Sequence, residues 1–517
     1  MKKFILTGIV CCIYANGLFA GGLLTNTNQS VHFLRNPARN ASTEIDAVYT
    51  NPAGLAKLSE DGWHFSLNNQ SAFQTRTITS TFAPFALGGG ETKSFEGKAS
   101  APVIPSLLGA YKTGNWAFSG SVSVIGGGGT LAFDKGLPSF ESQIAAPVAQ
   151  LSGAAHIPTT YSLDTRLEGS SMTIGVQLGA TYKINDMLSA FVGGRASIVN
   201  NGYKGHLRNV NIPAAGNLTA YFTAAAANAQ GAAASLQPAI DGGFGSAPLS
   251  ALNLPPAQVA QMAAGLGITS EQIGAMPVST VQTAFNTAAA QASGAAAGVT
   301  QLTSTNLGLD CKQSGFGIAP ILGFNFNYEN LNIGVKYEFV TKINIKNKTT
   351  TNTTGIVDFD DEVETPYDIP AILAIGAKYD ILPGVTVSAG LNHFFDSDAK
   401  MANDKQQYIN GGINDIMFGA EWRINKMFLI SAGGILTRTG VTDAYQADMN
   451  FFLNSDSFCF GGAVNITESL RVNVGYLFTN YKDWTKQSAN YNKTGIAGTE
   501  VFSRTNKAFG VGVDFRF

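Results

Sequence analysis

Phe509-Gly510-Val511-Gly512-Val513-Asp514-Phe515-Arg516-Phe517 alternates without a break. Phe509, Val511, Val513, Phe515 and Phe517 share one face, and Gly510, Gly512, Asp514 and Arg516 the other. A period of two is that of a β-strand. An apolar face, a polar face and a terminal aromatic are how an outer-membrane barrel closes, with lipid on one side and a lumen on the other.

Composition agrees. The chain has 517 residues, of which 13% are charged and 58 are glycine. That charged fraction is about half the soluble norm of roughly 25%. Mean hydropathy is only +0.08, and no long charge-free run hydrophobic enough for a spanning helix follows the first twenty residues. Alternating strands produce this combination, because lumen-facing residues dilute lipid-facing ones. A net charge of -2 offers nothing to nucleic acid. Lys2 and Lys3, the apolar stretch 4–14 and Ala20 before Gly21 read as an export signal over residues 1–20. Cys11 and Cys12 follow Ile9 and Val10, which is not a lipoprotein pattern. Cys311 and Cys459 then remain, and an exported protein can hold them either paired or free.

Other segments repeat the closing pattern. Met172, Ile174, Val176, Leu178, Ala180 and Tyr182 alternate with polar or small residues, as do Phe324, Phe326 and Tyr328. Leu331, Ile333, Val335, Tyr337 and Phe339 follow after a two-residue turn, and Leu470, Val472, Val474, Tyr476 and Phe478 come later. A soluble sandwich also alternates, but these lengths approach the ~9–11 residues that a tilted strand needs to cross a bilayer. Short turns are expected at 112–115, 185–187, 329–330, 380–384, 425–426 and 467–469. Long connections are expected at 77–100, 126–168, 209–313, 347–366, 397–410, 441–454 and 485–500. Six short turns and seven long loops join fourteen strands and return both termini to the periplasm. Tyr111, Trp116, Tyr182, Tyr328, Tyr379 and Trp422 border the short turns, as an interfacial girdle would. The expectation is an all-β fold: a fourteen-stranded antiparallel transmembrane barrel over 63–517.

Two segments do not alternate. Residues 214–300, within an insertion at 210–312, are rich in alanine with Gln, Asn, Ser, Thr and Gly. Thr269 with Gln272 and Ser279 with Gln282 fit capping boxes. Pro238, Pro248, Pro255, Pro256 and Pro277 should cut the segment into short helices, giving a helical extracellular cap. Residues 21–62, ahead of the first strand, are too apolar for a flexible tail and are expected to fold into the lumen as a hatch. Thr43 with Asp46 could cap a helical turn that Asn51-Pro52 would end.

The run Asp46-Ala47-Val48-Tyr49-Thr50-Asn51-Pro52-Ala53-Gly54-Leu55-Ala56 resembles the hatch of the FadL/TodX family, outer-membrane transporters of long-chain fatty acids and aromatic hydrocarbons. The family's Asn-Pro-Ala motif matches Asn51, Pro52 and Ala53, with a second copy at Asn36, Pro37 and Ala38. The fourteen strands and the two prolines of strand two, Pro102 and Pro105, are further similarities. The resemblance implies capture of an apolar ligand by outer loops, a pocket in the upper barrel and hatch-gated release sideways through a kink in strand three. Gly126 and Gly127, in a run of four glycines, are the candidate lateral opening; the alternative is the start of a loop. Asn51, Pro52 and Ala53 are expected to gate by anchoring the hatch. Gly21, Gly22 and Leu23 are carried over by position as pocket candidates.

The implied partners are hydrophobic small molecules or fatty acids, outer-membrane lipid and lipopolysaccharide, and the assembly machinery that reads the C-terminal strand. The protein is expected to be a monomer in the outer membrane of a Gram-negative bacterium, without enzymatic activity, cofactor or metal. Lys378, Glu338, Arg423 and Arg471 are expected inside. Three rivals stand: a polar porin, a hydrolase and a surface adhesin. A hydrolase needs a nucleophile beside a base, and His32, His64, His156, His206 and His393 show no such arrangement. His393 should face lipid or a rim.

Overall fold

The structure, a computed structural model, describes residues 23–517, so the proposed export signal, Gly21 and Gly22 lie outside it. The first seven barrel strands are β1 Gly62–Thr81, β2 Thr92–Thr113, β3 Trp116–Phe133, β4 Ser162–Lys183, β5 Leu188–Asn211, β6 Leu307–Tyr328 and β7 Leu331–Glu338, the last continued as Asn344–Asn352. The other seven are β8 Ile372–Leu382, β9 Val385–Phe394, β10 Ile413–Arg423, β11 Phe428–Arg438, β12 Ser455–Asn465, β13 Leu470–Tyr481, continued as Trp484–Ser488, and β14 Gly498–Arg516. Each pairs antiparallel with the next, and β14 returns to β1 from His64↔Arg516 to Thr81↔Thr499. Fourteen strands therefore close a barrel with no free edge.

The outer wall is greasy. Phe73, Val103, Leu178, Val192, Phe316, Ile318, Phe418, Phe458 and Phe509 are all exposed, whereas their strand neighbours point inward. A band of this extent would be untenable in water and marks a lipid face. The ring of Trp63 lies 4.8 Å from that of Tyr111, and Trp116 lies 4.6 Å from Tyr182, at the short-turn end. All six short turns fall where the pattern puts them. The first three long connections and the last start later and end sooner than expected, the second spanning 134–161 and the third 212–306, whereas the fifth, 395–412, is slightly longer than expected. Strands β1 to β6 run to 18–24 residues, because the sheet continues past the lipid band into water. There the outward residues turn polar, and alternation no longer signals a strand.

The insertion carries α4 Ala215–Ala239, α5 Pro256–Leu266, α6 Ser270–Ala275 and α7 Val278–Thr303, after α3 Pro138–Ala155 in the preceding long loop. Two of these helices are long, not short. Pro238 sits in the last turn of α4 and the other prolines precede helices, so none interrupts a helix midway. The Thr269–Gln272 capping box forms. The Ser279–Gln282 box does not: Pro277 caps α7, and Gln282 donates instead to the Ala233 carbonyl across the hairpin at 3.1 Å. The tip has its own core, with Leu236, Leu249, Ile273, Val281 and Phe285, while Leu218, Phe222, Val299 and Leu302 root the base among the loops. Excising residues 231–288 and rejoining α4 to α7 should therefore shift the Tm of the solubilised barrel by less than about 3 °C, the change that roughly 1 kcal/mol gives in a large domain. Thermal denaturation of the two forms checks this. Cys311 and Cys459 are both free and buried, in separate clusters.

Candidate functional site: a plugged lumen with a gap in its wall

Residues 23–58 fill the bore. They hold α1 Val31–Arg35, α2 Ala47–Thr50 and a 3-10 turn, Pro52–Lys57, and nearly every side chain is buried. Asp46, not Thr43, stands at the N-terminus of α2, and without a side-chain cap. Asn51 ends the helix, as its β-branched and proline context demands.

The Asn51-Pro52-Ala53 corner is bolted to the wall at three points. Asn51 Nδ2 donates to Asn325 Oδ1 (2.7 Å) and to the Ser42 carbonyl (3.0 Å). The hydroxyls of Thr181 on β4 and Ser189 on β5 donate to the carbonyls of Pro52 (2.8 Å) and Ala53 (2.7 Å). Ala53 itself is packed against Phe191 and Ile321. The second copy docks too. Asn36 Nδ2 reaches Ser388 Oγ at 3.3 Å, and a Cβ on Gly419 would stand 1.9 Å from Asn36 Oδ1. On Gly433 it would stand 2.6 Å from Pro37 Cδ. These are two of a belt of inward glycines, with Gly334, Gly376, Gly390, Gly461, Gly475 and Gly510; hatch atoms lie too close for a side chain at each except Gly390, where a Cβ would stand 3.2 Å from Asn40 Nδ2. Strand pairing lines up Gly334 with Gly376 and Gly390, and Gly461 with Gly475 and Gly510.

On its side toward the short turns, the hatch joins the wall through an ion-pair network. Arg35, fully buried, pairs with Glu421 of β10 and donates to Ser431 Oγ at 2.7 Å. Arg39 contacts Asp46 (2.7 Å), Glu44 (2.8 Å) and Glu421 (3.2 Å), and Arg471 contacts Glu44 (2.8 Å). Burial alone would raise the Glu44 carboxyl, but Arg471, Arg39 and Arg35 hold it well below the usual carboxylate range. His32, Glu44 and Asp46 come within metal-ligating reach of one another. Guanidinium groups already engage both carboxylates, so the cluster is an ion-pair network. Above it, Arg195 and Lys336 flank Glu338 at 2.7 and 2.6 Å, and both cations lie over the ring of Tyr49. The vestibule beneath, about 1240 Å³, is lined by charged side chains that include Lys57, Lys378, Arg423 and Glu468. Glu338, Lys378 and Arg471 thus face inward toward the hatch, and Arg423 stands at the mouth.

Among the described residues two ladders are interrupted: β6–β7 between Ser314↔Lys346 and Ile321↔Glu338, and β2–β3, which the hatch covers. β2 pairs with β3 up to Ser106↔Ser123 and again from Ser100↔Thr130, leaving residues 101–105 and 124–129 unpaired. Pro102 and Pro105 fall in this break and cannot donate to a ladder. Across it, β3 bulges twice against β4, at Val124/Gly126 and at Gly127/Gly129. Gly127 has φ +67° and Gly128 φ +117°, a region open to glycine. The glycine run is therefore strand interior, bent inward, not the start of a loop. The hatch's leading strap covers the break: the Asn26 amide donates to the Ile125 carbonyl (2.7 Å) and Asn26 Nδ2 to the Gly127 carbonyl (3.0 Å). Gln29 Nε2 reaches the Val124 carbonyl at 3.1 Å, and Ser106 Oγ donates to the Gln29 carbonyl at 2.5 Å.

Toward the long loops the lumen turns apolar. Leu23, 1% exposed, joins Phe394, Met401, Ile409, Ile413, Val441, Tyr445 and Phe452. Burial pushes the Asp396 carboxyl beside them up to about 7, against hydrogen bonds from the Leu23 and Ile413 amides. On the adjoining wall, Arg76 faces Arg504 across the β1–β14 pair, and Gln74 faces Asn506 one rung away. Gln74 Nε2 and Asn506 Nδ2 are buried and have no acceptor among the described residues. Arg76 lies 5.5 Å from the ring of Phe451 and close to Tyr445. Sequence reading missed this rung and Glu421; their inward parity on alternating strands was the available signal. His393 sits on the rim, with Nδ1 2.8 Å from Asn414 Oδ1.

No protein-family model and no curated protein matches the sequence. Solved structures do. A Pseudomonas aeruginosa FadL homologue aligns over 96% of this chain and 100% of its own, with a TM-score of 0.59 at 11% identity. A TodX deltaS2S3 mutant monoaromatic hydrocarbon channel aligns over 94% and 99%, with a TM-score of 0.50 at 14% identity. At these identities the match shows the fold, a fourteen-stranded plugged barrel.

Proposed function

We propose that the chain is an outer-membrane channel of the FadL/TodX kind, carrying hydrophobic compounds inward without an energy source and releasing them sideways. The observation that carries this is the contrast between two exits. The axial route runs through the Arg35–Glu421–Arg39–Glu44 network, where an apolar ligand would separate buried ion pairs at several kcal/mol each. The β2–β3 break is closed only by a strap held by a few hydrogen bonds, each worth about 0.5–1.5 kcal/mol. A chain leaving there keeps its methylenes, about 0.8 kcal/mol apiece, out of water.

In this scheme ligand enters between the long loops, which face outward, and both termini lie in the periplasm. It settles in the apolar cluster now holding Leu23. Withdrawal of the strap then opens the wall at Gly126 and Gly127 while Asn51, Pro52 and Ala53 keep the hatch seated. The Arg76/Arg504 rung and its amide donors fit an anionic head group, which favours fatty acids over neutral arenes. Native mass spectrometry of gently solubilised protein should show a retained acyl-chain ligand, and planar bilayers should show almost no steady current. A large, steady aqueous current would mean a porin and overturn the proposal.

A further inference from the structure

We propose that the outward face of β5, β6 and β7, just above the lipid band, is a binding site for a phosphorylated glycolipid of the outer leaflet. The proposal rests on the long loops facing outward, as above. On β6, Phe316 and Ile318 face lipid, 59% and 63% exposed. Side-chain parity carries the same face upward through Ser314 to Lys312, exposed like the others. Four residues at about 3.3 Å each, on a strand tilted by roughly 40°, place Lys312 about 10 Å above Phe316. That is the depth at which head-group phosphates lie.

Register then gathers further cations at this level. Lys312 is the direct partner of Lys348 on β7, and Ser314 of Lys346. Lys342 lies alongside Gly317. On β5, Lys204, His206 and Arg208 continue the face higher up, paired with Asp310 (3.8 Å) and Asp164 (3.0 and 2.9 Å), as Lys346 is with Glu362, which leaves Lys312 and Lys348 as the bare rung. Like charges set opposite each other on one sheet face repel, yet neither Lys312 nor Lys348 has a salt bridge among the described residues. Other outward cations are paired, as Lys98 is with Glu96 at 3.0 Å and Arg438 with Asp456 at 2.8 Å; Lys507 is not, but it faces Phe73 and Phe478 and no second cation. The unpaired rung abuts the lipid band, so an anion there would come attached to acyl chains that lie against Phe316 and Ile318. A bis-phosphorylated lipid meets both demands, and the long lysine stems can reach down to it.

The test is native mass spectrometry of the intact, detergent-solubilised barrel titrated with bis-phosphorylated lipid A, and with its monophosphoryl form. The double variant Lys312→Ala, Lys348→Ala should bind the bis-phosphorylated form about thirtyfold more weakly, the effect of roughly one charge contact per lysine. The native barrel should prefer two phosphates over one. Equal binding by variant and native, or indifference to the phosphate count, overturns the site. Lys348→Cys should react with an impermeant maleimide on intact cells, and reaction only in broken cells also overturns it by reversing the orientation. Lipophile uptake by the double variant should be unchanged, so this site and the transport scheme fail separately.

Discussion

Glu421→Ala is expected to unseat the hatch. The carboxylate receives Arg35 and Arg39 together, and Arg35 has no exposed surface through which water could replace it. Removing one partner of a buried pair costs about 3–5 kcal/mol, because the remaining charge keeps its desolvation penalty. The barrel ladder does not depend on Glu421's side chain, so the cost falls on hatch docking. It corresponds to a rise in the open population of about a hundredfold or more. The measurements are steady current in planar bilayers and cleavage within residues 23–61 by a protease added from the short-turn side. Asn51→Ala removes two neutral hydrogen bonds, taking the donor from the Ser42 carbonyl while Asn325 Oδ1 keeps Asn332, a smaller effect of about 1–3 kcal/mol. If Glu421→Ala stays as closed and as resistant as the native protein, the network does not hold the hatch.

That hierarchy was only half visible in the sequence. The Asn51-Pro52-Ala53 motif stands out because proline and its neighbours punctuate a chain. Arg35, Arg39 and Glu44 look like ordinary loop charges until the barrel wraps round them. The turns were legible because lipid forces strict alternation between them. The upper strands were not, because water on the outside tolerates Thr, Lys and Glu, and residues such as Thr77 and Glu168 then resemble loop. The glycines of the inner belt were read as small lumen-facing residues. Only register shows that Gly334, Gly376 and Gly390 form one row and that backbone of the hatch leans on it. The upper half of the lumen was least legible, since its apolar lining comes from four separate loops and strands, with no contiguous motif.

The glycine run of β3 was legible as a feature but ambiguous in role, and its geometry yields the sharpest test of lateral release. At Gly127 the backbone has φ +67°, and a Cβ would stand 2.2 Å from the Ser171 carbonyl oxygen. At Gly126 it would stand 2.5 Å from the Leu24 carbonyl oxygen, in the strap itself. A side chain at Gly127 therefore forces the bulge to relax toward regular β geometry. One at Gly126 displaces the strap and crowds Thr173 of β4. Either change obstructs the break from 101–105 to 124–129 while the ladders on both sides remain. Gly126→Leu with Gly127→Val should still give a heat-modifiable, folded barrel on seminative gels, because about twelve of fourteen strand junctions are untouched. Uptake of a long-chain fatty acid should fall at least about tenfold, the consequence of only 1.4 kcal/mol added to the exit barrier. A folded double variant that takes up ligand at the native rate would mean that the molecule leaves by another path. The axial network would then have to open, and Glu421 would govern transport instead of merely closing the bore.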